Sequence, residues 1–285
     1  MKCDLMSSAQ YEYIRRGRNK IPGWFYRVDA EIFALVTDYQ KRNALDGSLV
    51  EIGLHHGKSF IAMCLSLRDG EKAYGVDLFE QQQSLNLDYS GSGERRAVES
   101  NLRAAGVNLS AVILDGRSST SVSPGDILGS VGPSRFFSID GGHHLDVVRN
   151  DLALAEQTLA RHGVIALDDF HRPEWPDVSA GYFAWFAVRS KPIVPFAIGL
   201  NKLYLCDESH VSRYQELLRG SEFLRFFYSR DYRFCEIALP VYQRFPSTDW
   251  GLKERLVEYL KFYHPDLYVA CHTLRRRFLR RRHPH

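Results

Sequence analysis

The chain has 285 residues, of which 45% are hydrophobic and 25% are charged, a composition typical of a globular protein. This length predicts one large α/β domain with additions, or one domain with a small helical appendage. No run of apolar residues approaches the roughly 18 that a membrane-spanning helix needs, and residues 1–10 lack the apolar segment of a secretory signal. Six arginines between Arg275 and Arg282 account for the net charge of +3, and without them the charge is −3. The composition therefore does not support nucleic-acid binding by the folded body.

The cysteines point to a cellular compartment. There are five of them, an odd number, scattered along the chain without a CxxC pair: Cys3, Cys64, Cys206, Cys235 and Cys271. This pattern predicts reduced thiols and a cytoplasmic location rather than a disulfide framework or a zinc site.

The first predicted element is an amphipathic helix within residues 24–43, because apolar side chains recur there at helical spacing. Short apolar runs then alternate with longer helical segments. The predicted strands are Ser48–Ile52, Ala73–Asp77, Ala111–Leu114, Arg135–Ile139, Val164–Asp168, Ile193–Ile198 and Leu203–Cys206. The predicted helices lie near 58–68, 94–105, 145–161 and 177–189. Such alternation predicts βαβ units around a largely parallel sheet.

Residues 199–202 alone separate the last two predicted strands, which is too short for a parallel crossover, so we expect a hairpin there. The predicted fold class is α/β, with a Rossmann-like, seven-stranded, mostly parallel sheet that ends in an antiparallel hairpin. Helices cover both faces, and a helical extension follows. The predicted divisions are a helical lead-in (1–45), the α/β domain (46–207) and a C-terminal helical extension with a basic tail (208–285).

A glycine motif follows the first predicted strand, where Glu51 precedes Gly53 and Gly57 in the pattern E-x-G-x-x-x-G. A glycine at the end of the strand lets a ligand approach the backbone closely. Gly57 opens the next helix, whose free N–H groups favour an anionic group. The spacing departs from the G-x-G-x-x-G of dinucleotide sites. A strand–helix turn that needs glycines for its own geometry is the alternative.

The next two strands also end in polar residues. Asp77 at the end of the second strand is placed to accept hydrogen bonds from ribose hydroxyls, as acidic residues do in dinucleotide folds. A cap of the following turn is the alternative. The third strand leads into Asp115, Gly116, Arg117 and Ser118, a run that is also ordinary turn chemistry.

The fourth and fifth predicted strands end in carboxylates, Asp140 after one and Asp168 and Asp169 after the other. The carboxyl ends of neighbouring parallel strands meet at the edge where ligands bind. Three uncompensated carboxylates there would shift their pKa values or bind a cation. A divalent cation with oxygen ligands is therefore predicted, Mg²⁺ foremost, with Ca²⁺ and Mn²⁺ as alternatives. Alternatively, Asp168 and Asp169 cap the following segment while Asp140 faces a cofactor.

Together these motifs resemble the class I S-adenosylmethionine-dependent methyltransferases. Residues 48–169 are similar to the metal-dependent O-methyltransferases of the macrolide-sugar type, the macrocin and mycinamicin enzymes, and catechol O-methyltransferase is a more distant relative. The resemblance extends over roughly residues 48–206. It implies methyl transfer from S-adenosylmethionine to a hydroxyl of a small molecule, a sugar or a glycosylated natural product. The metal would orient the hydroxyl and lower its pKa.

The resemblance also implies residue roles. His143, in the pattern Asp140-x-x-His143, would be the general base, with His144 and His171 as alternatives. Asp77 would bind the ribose, Asp115 the adenine amino group, and Ser118 or Ser119 a ring nitrogen. The implied cofactor-binding residues are Glu51, Gly53, Gly57, Ser59, Asp77, Leu78, Asp115, Ser118 and Asp140, and the implied metal ligands are Asp140, Asp168 and Asp169.

Several segments remain open. Residues 80–94 form either a lid over the site or an ordinary surface loop. Arg172, Trp175 and Tyr182 either contact a sugar or aryl ring or pack their own loop. The extension is expected to cover the sheet edge or to form a homo-oligomer interface, and the basic tail to be solvated or to touch an anionic surface. The rival functions are a metal-dependent, hydroxylase-like enzyme and a non-catalytic module that binds through its tail.

Overall fold

The computed structural model describes residues 8–85, 91–244 and 251–282. Its helices are α1 Ser8–Arg15, α2 Arg27–Arg42, α3 Lys58–Cys64, α4 Gln82–Leu85, α5 Arg95–Ala104, α6 Pro124–Val131, α7 Leu145–Thr158, α8 Pro176–Phe186, α9 Val211–Arg219, α10 Leu252–Tyr263 and α11 Pro265–Arg282. Its strands are β1 Ser48–Ile52, β2 Ala73–Val76, β3 Val112–Asp115, β4 Ser134–Ile139, β5 Leu159–Leu167, β6 Ile193–Ile198, β7 Leu203–Asp207, β8 Tyr228–Phe234 and β9 Ile237–Tyr242.

One sheet contains all nine strands of the described residues, in the order β3-β2-β1-β4-β5-β7-β6-β9-β8. The strands β1 to β5 pair in parallel, and β7 runs antiparallel to both β5 and β6. The predicted α/β fold with its antiparallel hairpin is therefore confirmed. Because β6 is antiparallel to β7 and β7 to β5, the β6–β7 turn lies at the same sheet edge as the carboxyl end of β5.

The sheet has two strands more than the seven predicted. Both come from the segment predicted as a helical extension, and β9 joins β6 through the pair Ile198 and Val241. The physical reason is tertiary pairing: β8 and β9 form an antiparallel ladder that runs from the pair Tyr228 and Tyr242 to the pair Phe234 and Ile237. The region after residue 208 therefore mixes strands with helices.

Helices cover both faces of the sheet, which explains why every residue of β1 is buried. Phe136 and Phe137 are adjacent on β4 and point to opposite faces, as successive strand residues do. Phe136 packs with Phe33 of α2 in the core that α1, α2, α3, α5 and α9 help to cover. Phe137 belongs to the core on the other face, which includes Trp185 of α8.

A buried ion pair lies at the amino end of β4, far along the strand from its carboxyl-end ligand edge. The fully buried Arg135 donates to Glu71 through Nε and Nη2, both at 3.0 Å. Its Nη1 donates to Gln40 Oε1 of α2 at 3.1 Å. These bonds tie α2 to the sheet.

The helices α10 and α11 pack over the beginning of α2. The rings of Tyr26 and Phe262 lie 5.1 Å apart, and Arg27 Nε lies 3.6 Å from Asp266 Oδ1. Within residues 8–85, 91–244 and 251–282, no helix combines the length and the apolar character that crossing a bilayer requires.

Candidate active site

A cavity of about 780 Å³ opens at the carboxyl ends of β1, β2, β4 and β5. Its volume lies within the range of small-molecule sites, about 300–1,000 Å³. Most residues predicted for the site line it: Gly53, Ser59, Asp77, Leu78, Ser118, Asp140, His143, Asp168 and Asp169. Glu51, Gly57 and Asp115 lie behind its wall. Most of the predicted residues thus share one cavity, and their roles in a site remain predictions.

Gly53 is required where two loops cross. Its φ is +83°, and a Cβ there would lie 1.7 Å from the carbonyl oxygen of Asp140. The Asp140 N–H in turn donates to Ile52 O at 2.8 Å. The loop after β4 therefore runs directly against the turn after β1. Gly57, directly before α3, has a similar φ of +80°. The helix α3 ends at Cys64 and is therefore shorter than the predicted helix near 58–68.

Glu51 is a buried carboxylate without adequate partners. It is 0% exposed, and neither of its oxygens finds a hydrogen bond of ordinary geometry among the described residues. Burial raises its pKa to about 7, against the smaller lowering effects of Lys202, Ser59 and Ser138. An orphaned acid immediately behind the cavity fits a site for a cationic group, such as the amine of an amino acid.

Asp77 holds the turn that follows β1. Its Oδ2 accepts from the backbone N–H groups of Leu54 at 2.6 Å and His55 at 2.8 Å. Its Oδ1 accepts from Phe79 N and from Gln82 Nε2, both at 2.7 Å. These four bonds use the acceptor capacity of a carboxylate. A ribose contact by Asp77 remains a prediction, and it requires the hydrogen bond from Gln82 to Asp77 to break.

Asp115 is likewise engaged within the protein. It accepts from Tyr74 Oη at 2.5 Å and from Arg117 Nη2 at 2.6 Å. The Arg117 hydrogen bonds hold the pKa of Asp115 below its usual value. Ser118 does face the cavity, with its hydroxyl bonded to Thr120 at 2.8 Å. The adenine contact of Asp115 remains a prediction.

The expectation of three uncompensated carboxylates is corrected by Lys202, which the sequence analysis missed. Its Nζ lies 2.5 Å from Asp168 Oδ2 and 3.8 Å from Asp140 Oδ2, and its side chain is 2% exposed. Burial alone would lower the pKa of Lys202, but Asp168 and Asp140 more than offset this and raise it above its ordinary value. The lysine therefore stays charged inside the cluster.

Asn201, also missed, braces the two aspartates that follow β5. Its Nδ2 donates to Asp168 Oδ1 at 2.6 Å and to Asp169 Oδ1 at 2.8 Å. Asp169 has a φ of +55°, a left-handed conformation that ordinary residues rarely adopt, so an external brace is needed there.

A fourth carboxylate, Asp29 of α2, supports this turn from below. It accepts from Asn201 N at 3.2 Å and from Tyr204 Oη at 2.8 Å. Burial raises its pKa to about 7. A Cβ at Gly199 would lie 1.9 Å from Asp29 Oδ1, which explains the glycine at the end of β6.

His143 is held between an acid and an aromatic ring. Its Nε2 lies 3.1 Å from Asp169 Oδ2, and its ring stacks on Trp175 with centroids 4.1 Å apart and planes at 15°. Burial opposes the charge of Asp169, but the bonds from His143 and Asn201 keep its pKa below the usual value. Asp169 and Trp175 therefore fix the orientation of the imidazole ring.

The other two candidate bases are placed less favourably. His144 lines the cavity beside His143 but lies at the start of α7, where its Nε2 is buried without a partner among the described residues. His171 lies outside the cavity wall with its ring against Phe170, and burial lowers its pKa.

The donor set for a metal differs from the predicted one. Asn201 and Lys202 occupy both oxygens of Asp168. Among the described residues, the group whose ligand atoms come within 4.8 Å of one another is Asp140, His143 and Asp169. Burial and the Asp168 charge raise the pKa of Asp140 well above its ordinary value. Ligation by Asp168 remains a prediction that this geometry does not favour.

One cavity wall could not be expected from the sequence. Residues 22–26, just before α2, close the cavity on one side, and Lys58 Nζ donates to Gly23 O at 2.7 Å. Of the segment 80–94, Gln82, Leu85 and Gly91 line the cavity, while residues 86–90 lie outside the described residues. Tyr182, a candidate for ligand contact, instead lies fully buried in the core against Phe170, because α8 turns that face inward.

The strand order, the close loop crossing at Gly53 and the cavity at the carboxyl edge define a class I methyltransferase fold. Residues 50–170 match the family described as "Methyltransferase domain", which agrees with the resemblance found in the sequence. The match leaves the N-terminal helices and the chain after residue 170 outside it. No curated protein sequence matches the chain.

Solved structures of methyltransferases are similar at low identity. The O-methyltransferase NovP is 18% identical, with a TM-score of 0.48, over 62% of this chain and 78% of its own. CalS11, a TDP-rhamnose 3'-O-methyltransferase of calicheamicin biosynthesis, is 14% identical, with a TM-score of 0.48, over 69% and 86%. An O-methyltransferase from Bacillus cereus in complex with SAH is 16% identical, with a TM-score of 0.46, over 70% and 90%.

Proposed function

We propose that this protein transfers the methyl group of S-adenosylmethionine to a hydroxyl of a small molecule, with His143 as the general base. The observation that carries the proposal is a single cavity inside a methyltransferase domain that joins Gly53 and Asp77 on one wall to Asp140, His143 and Asp169 on the other.

The β1 and β2 side of the cavity fits the cofactor. Gly53 leaves the backbone bare where any Cβ would collide with the Asp140 loop, and Glu51 behind it offers two unsatisfied carboxylate oxygens. Residues Gly53, Ser59, Asp77, Leu78 and Ser118 would hold the cofactor there. When bound, S-adenosylmethionine supplies an electrophilic methyl group on a positively charged sulfur.

The β4 and β5 side of the cavity fits acceptor activation. When His143 donates its Nε2 proton to Asp169, its Nδ1 becomes the ring nitrogen that takes the proton of an acceptor hydroxyl. Asp169 then stabilises the imidazolium that results, and Trp175 keeps the ring in plane. A sugar hydroxyl is the acceptor that the sequence resemblance implies, and the same wall contains the ion pair of Arg172 Nε and Glu174 Oε2, at 3.2 Å.

A metal-assisted version of the reaction is the second candidate. It is favoured by the approach of Asp140, His143 and Asp169, which offer one imidazole and two carboxylate ligands within 4.8 Å. A divalent ion there would acidify the hydroxyl in place of the base. Turnover that EDTA abolishes and Mg²⁺ restores would support this version.

The first test is calorimetric titration of S-adenosylmethionine into the wild-type protein, Asp77→Asn and, as a control, Asp146→Asn on an exposed part of α7. We expect binding to the wild type and the control and weaker binding to Asp77→Asn, because the substitution removes a charged acceptor. Mass spectrometry with a panel of sugars then seeks a product heavier by one methylene. A folded wild-type protein that binds no S-adenosylmethionine would refute the proposal.

A further inference from the structure

The turn between β6 and β7 inserts a cation into the carboxylate cluster from inside the protein. Lys202 Nζ lies 2.5 Å from Asp168 Oδ2 and 3.8 Å from Asp140 Oδ2. No partner of this ammonium group meets hydrogen-bond geometry among the described residues, so the contacts act as ion pairs. The turn is fixed by a bond from Gly199 N to Lys202 O at 2.9 Å, so the position of the charge is built into the fold.

We propose that Lys202 is a tethered cation that takes the place of a divalent metal ion at this edge of the sheet, so that the site works without bound metal. Mg²⁺ binds carboxylate oxygens at about 2.0–2.1 Å with near-octahedral geometry. An ion shared by Asp140 and Asp168 would therefore overlap the position of Nζ.

A metal ion bound by the remaining donor atoms would also be repelled by the charge of Lys202. An ion displaced towards Asp169 and His143 would still use Asp140, whose Oδ2 is 3.8 Å from the ammonium group. An ion that binds this oxygen at about 2.1 Å lies at most about 6 Å from the ammonium group, and a unit charge at that distance weakens the binding of a divalent ion about 10-fold, even in a water-like dielectric. In the half-buried cluster the effect is larger, because screening by solvent is weaker.

The aspartates keep their arrangement without a metal because hydrogen bonds and an ion pair from other side chains fix their positions. Asn201 bridges Asp168 and Asp169, and Lys202 completes the coordination of Asp168. The inference rests on the proposed function only in taking this edge as the reacting edge, and its test needs neither cofactor nor acceptor.

The test is titration of Mn²⁺ into the EDTA-treated full chain, with free Mn²⁺ followed by electron paramagnetic resonance. The variants are Lys202→Met, which keeps the length without the charge, and Lys202→Arg, which keeps the charge. We expect no saturable site at millimolar Mn²⁺ in the wild type or Lys202→Arg, and one site at least about 10-fold tighter in Lys202→Met. Mn²⁺ should also raise the melting temperature of Lys202→Met alone.

Two results would overturn the inference. One is a wild-type protein that binds one Mn²⁺ at micromolar concentration, since the ion and the lysine would then coexist. The other is a folded Lys202→Met that binds Mn²⁺ no better than the wild type, which would leave Lys202 with a structural role only. If Lys202→Met does not fold, the double variant with Asp29→Asn removes a second buried charge and repeats the comparison. A loss of S-adenosylmethionine binding would refute the proposed function and leave these outcomes unchanged.

Discussion

Replacement of Glu51 by glutamine tests the buried acid behind the cofactor wall. The side chain is 0% exposed on the central strand β1, and burial raises its pKa from 4.5 to about 7. Glutamine has nearly the same shape but no charge. The variant therefore isolates the cost of burying a carboxylate, and Glu12→Gln on the exposed face of α1 is the matched control.

The sign of the effect follows from proton binding in the two states. Below the unfolded pKa of 4.5 both states hold the proton, so the charge of Glu51 costs nothing. Between pH 4.5 and 7 only the unfolded chain releases it, so stability falls as the pH rises. Above pH 7 the full cost remains, and at 1.36 kcal/mol per pH unit it amounts to roughly 3 kcal/mol.

Urea unfolding across this pH range measures the effect. We expect Glu51→Gln to gain little stability at pH 5 and to exceed the wild type by about 3 kcal/mol at pH 8. Glu12→Gln should show no pH-dependent gain. At pH 8, S-adenosylmethionine should stabilise the wild type more than Glu51→Gln, because the charged carboxylate then meets a cationic ligand. Parallel stability curves for the wild type and Glu51→Gln would refute the assignment of a raised pKa.

Three further predictions concern the close loop crossing, the buried ion pair and the base. Gly53→Ala should destabilise the fold by about 3 kcal/mol or more in chemical denaturation. Gly70→Ala, with the same φ of +83° but open space around it, should cost only about 1 kcal/mol. Equal costs for the two substitutions would contradict the predicted collision between a Cβ at residue 53 and the Asp140 loop. Arg135→Met should cost about 2 kcal/mol, because Glu71 loses the two hydrogen bonds from Arg135 but keeps those from Arg68. A folded His143→Asn should lose about 100-fold or more of the methyl-transfer rate while calorimetry finds unchanged cofactor affinity, and an unchanged rate would exclude it as the base.

The parts of the site that could be predicted are those fixed by local pattern. Short apolar runs that end in Glu51, Asp77, Asp140 or Asp168 mark buried parallel strands, and the carboxyl ends of such strands converge whatever the details of packing. The place of Gly53 at the site could be predicted for the same reason, since it directly follows a strand.

Lys202 and Asn201 were missed although the chain contained a signal for them. The short connection at residues 199–202 predicts a hairpin, and its turn must lie beside the carboxyl end of β5. Polar residues in that turn therefore belong to the ligand edge. The prediction of uncompensated carboxylates considered the strand ends and left out the turn.

Other features had no local signal. Asp29 is one of six polar or charged residues among the thirteen buried residues of α2, and only tertiary packing puts it under the β6–β7 turn. The strands β8 and β9 lie in a segment where aromatic residues suit helix and strand equally, so pairing with β6 decided the outcome. Contacts between distant segments are not encoded in the pattern of either segment.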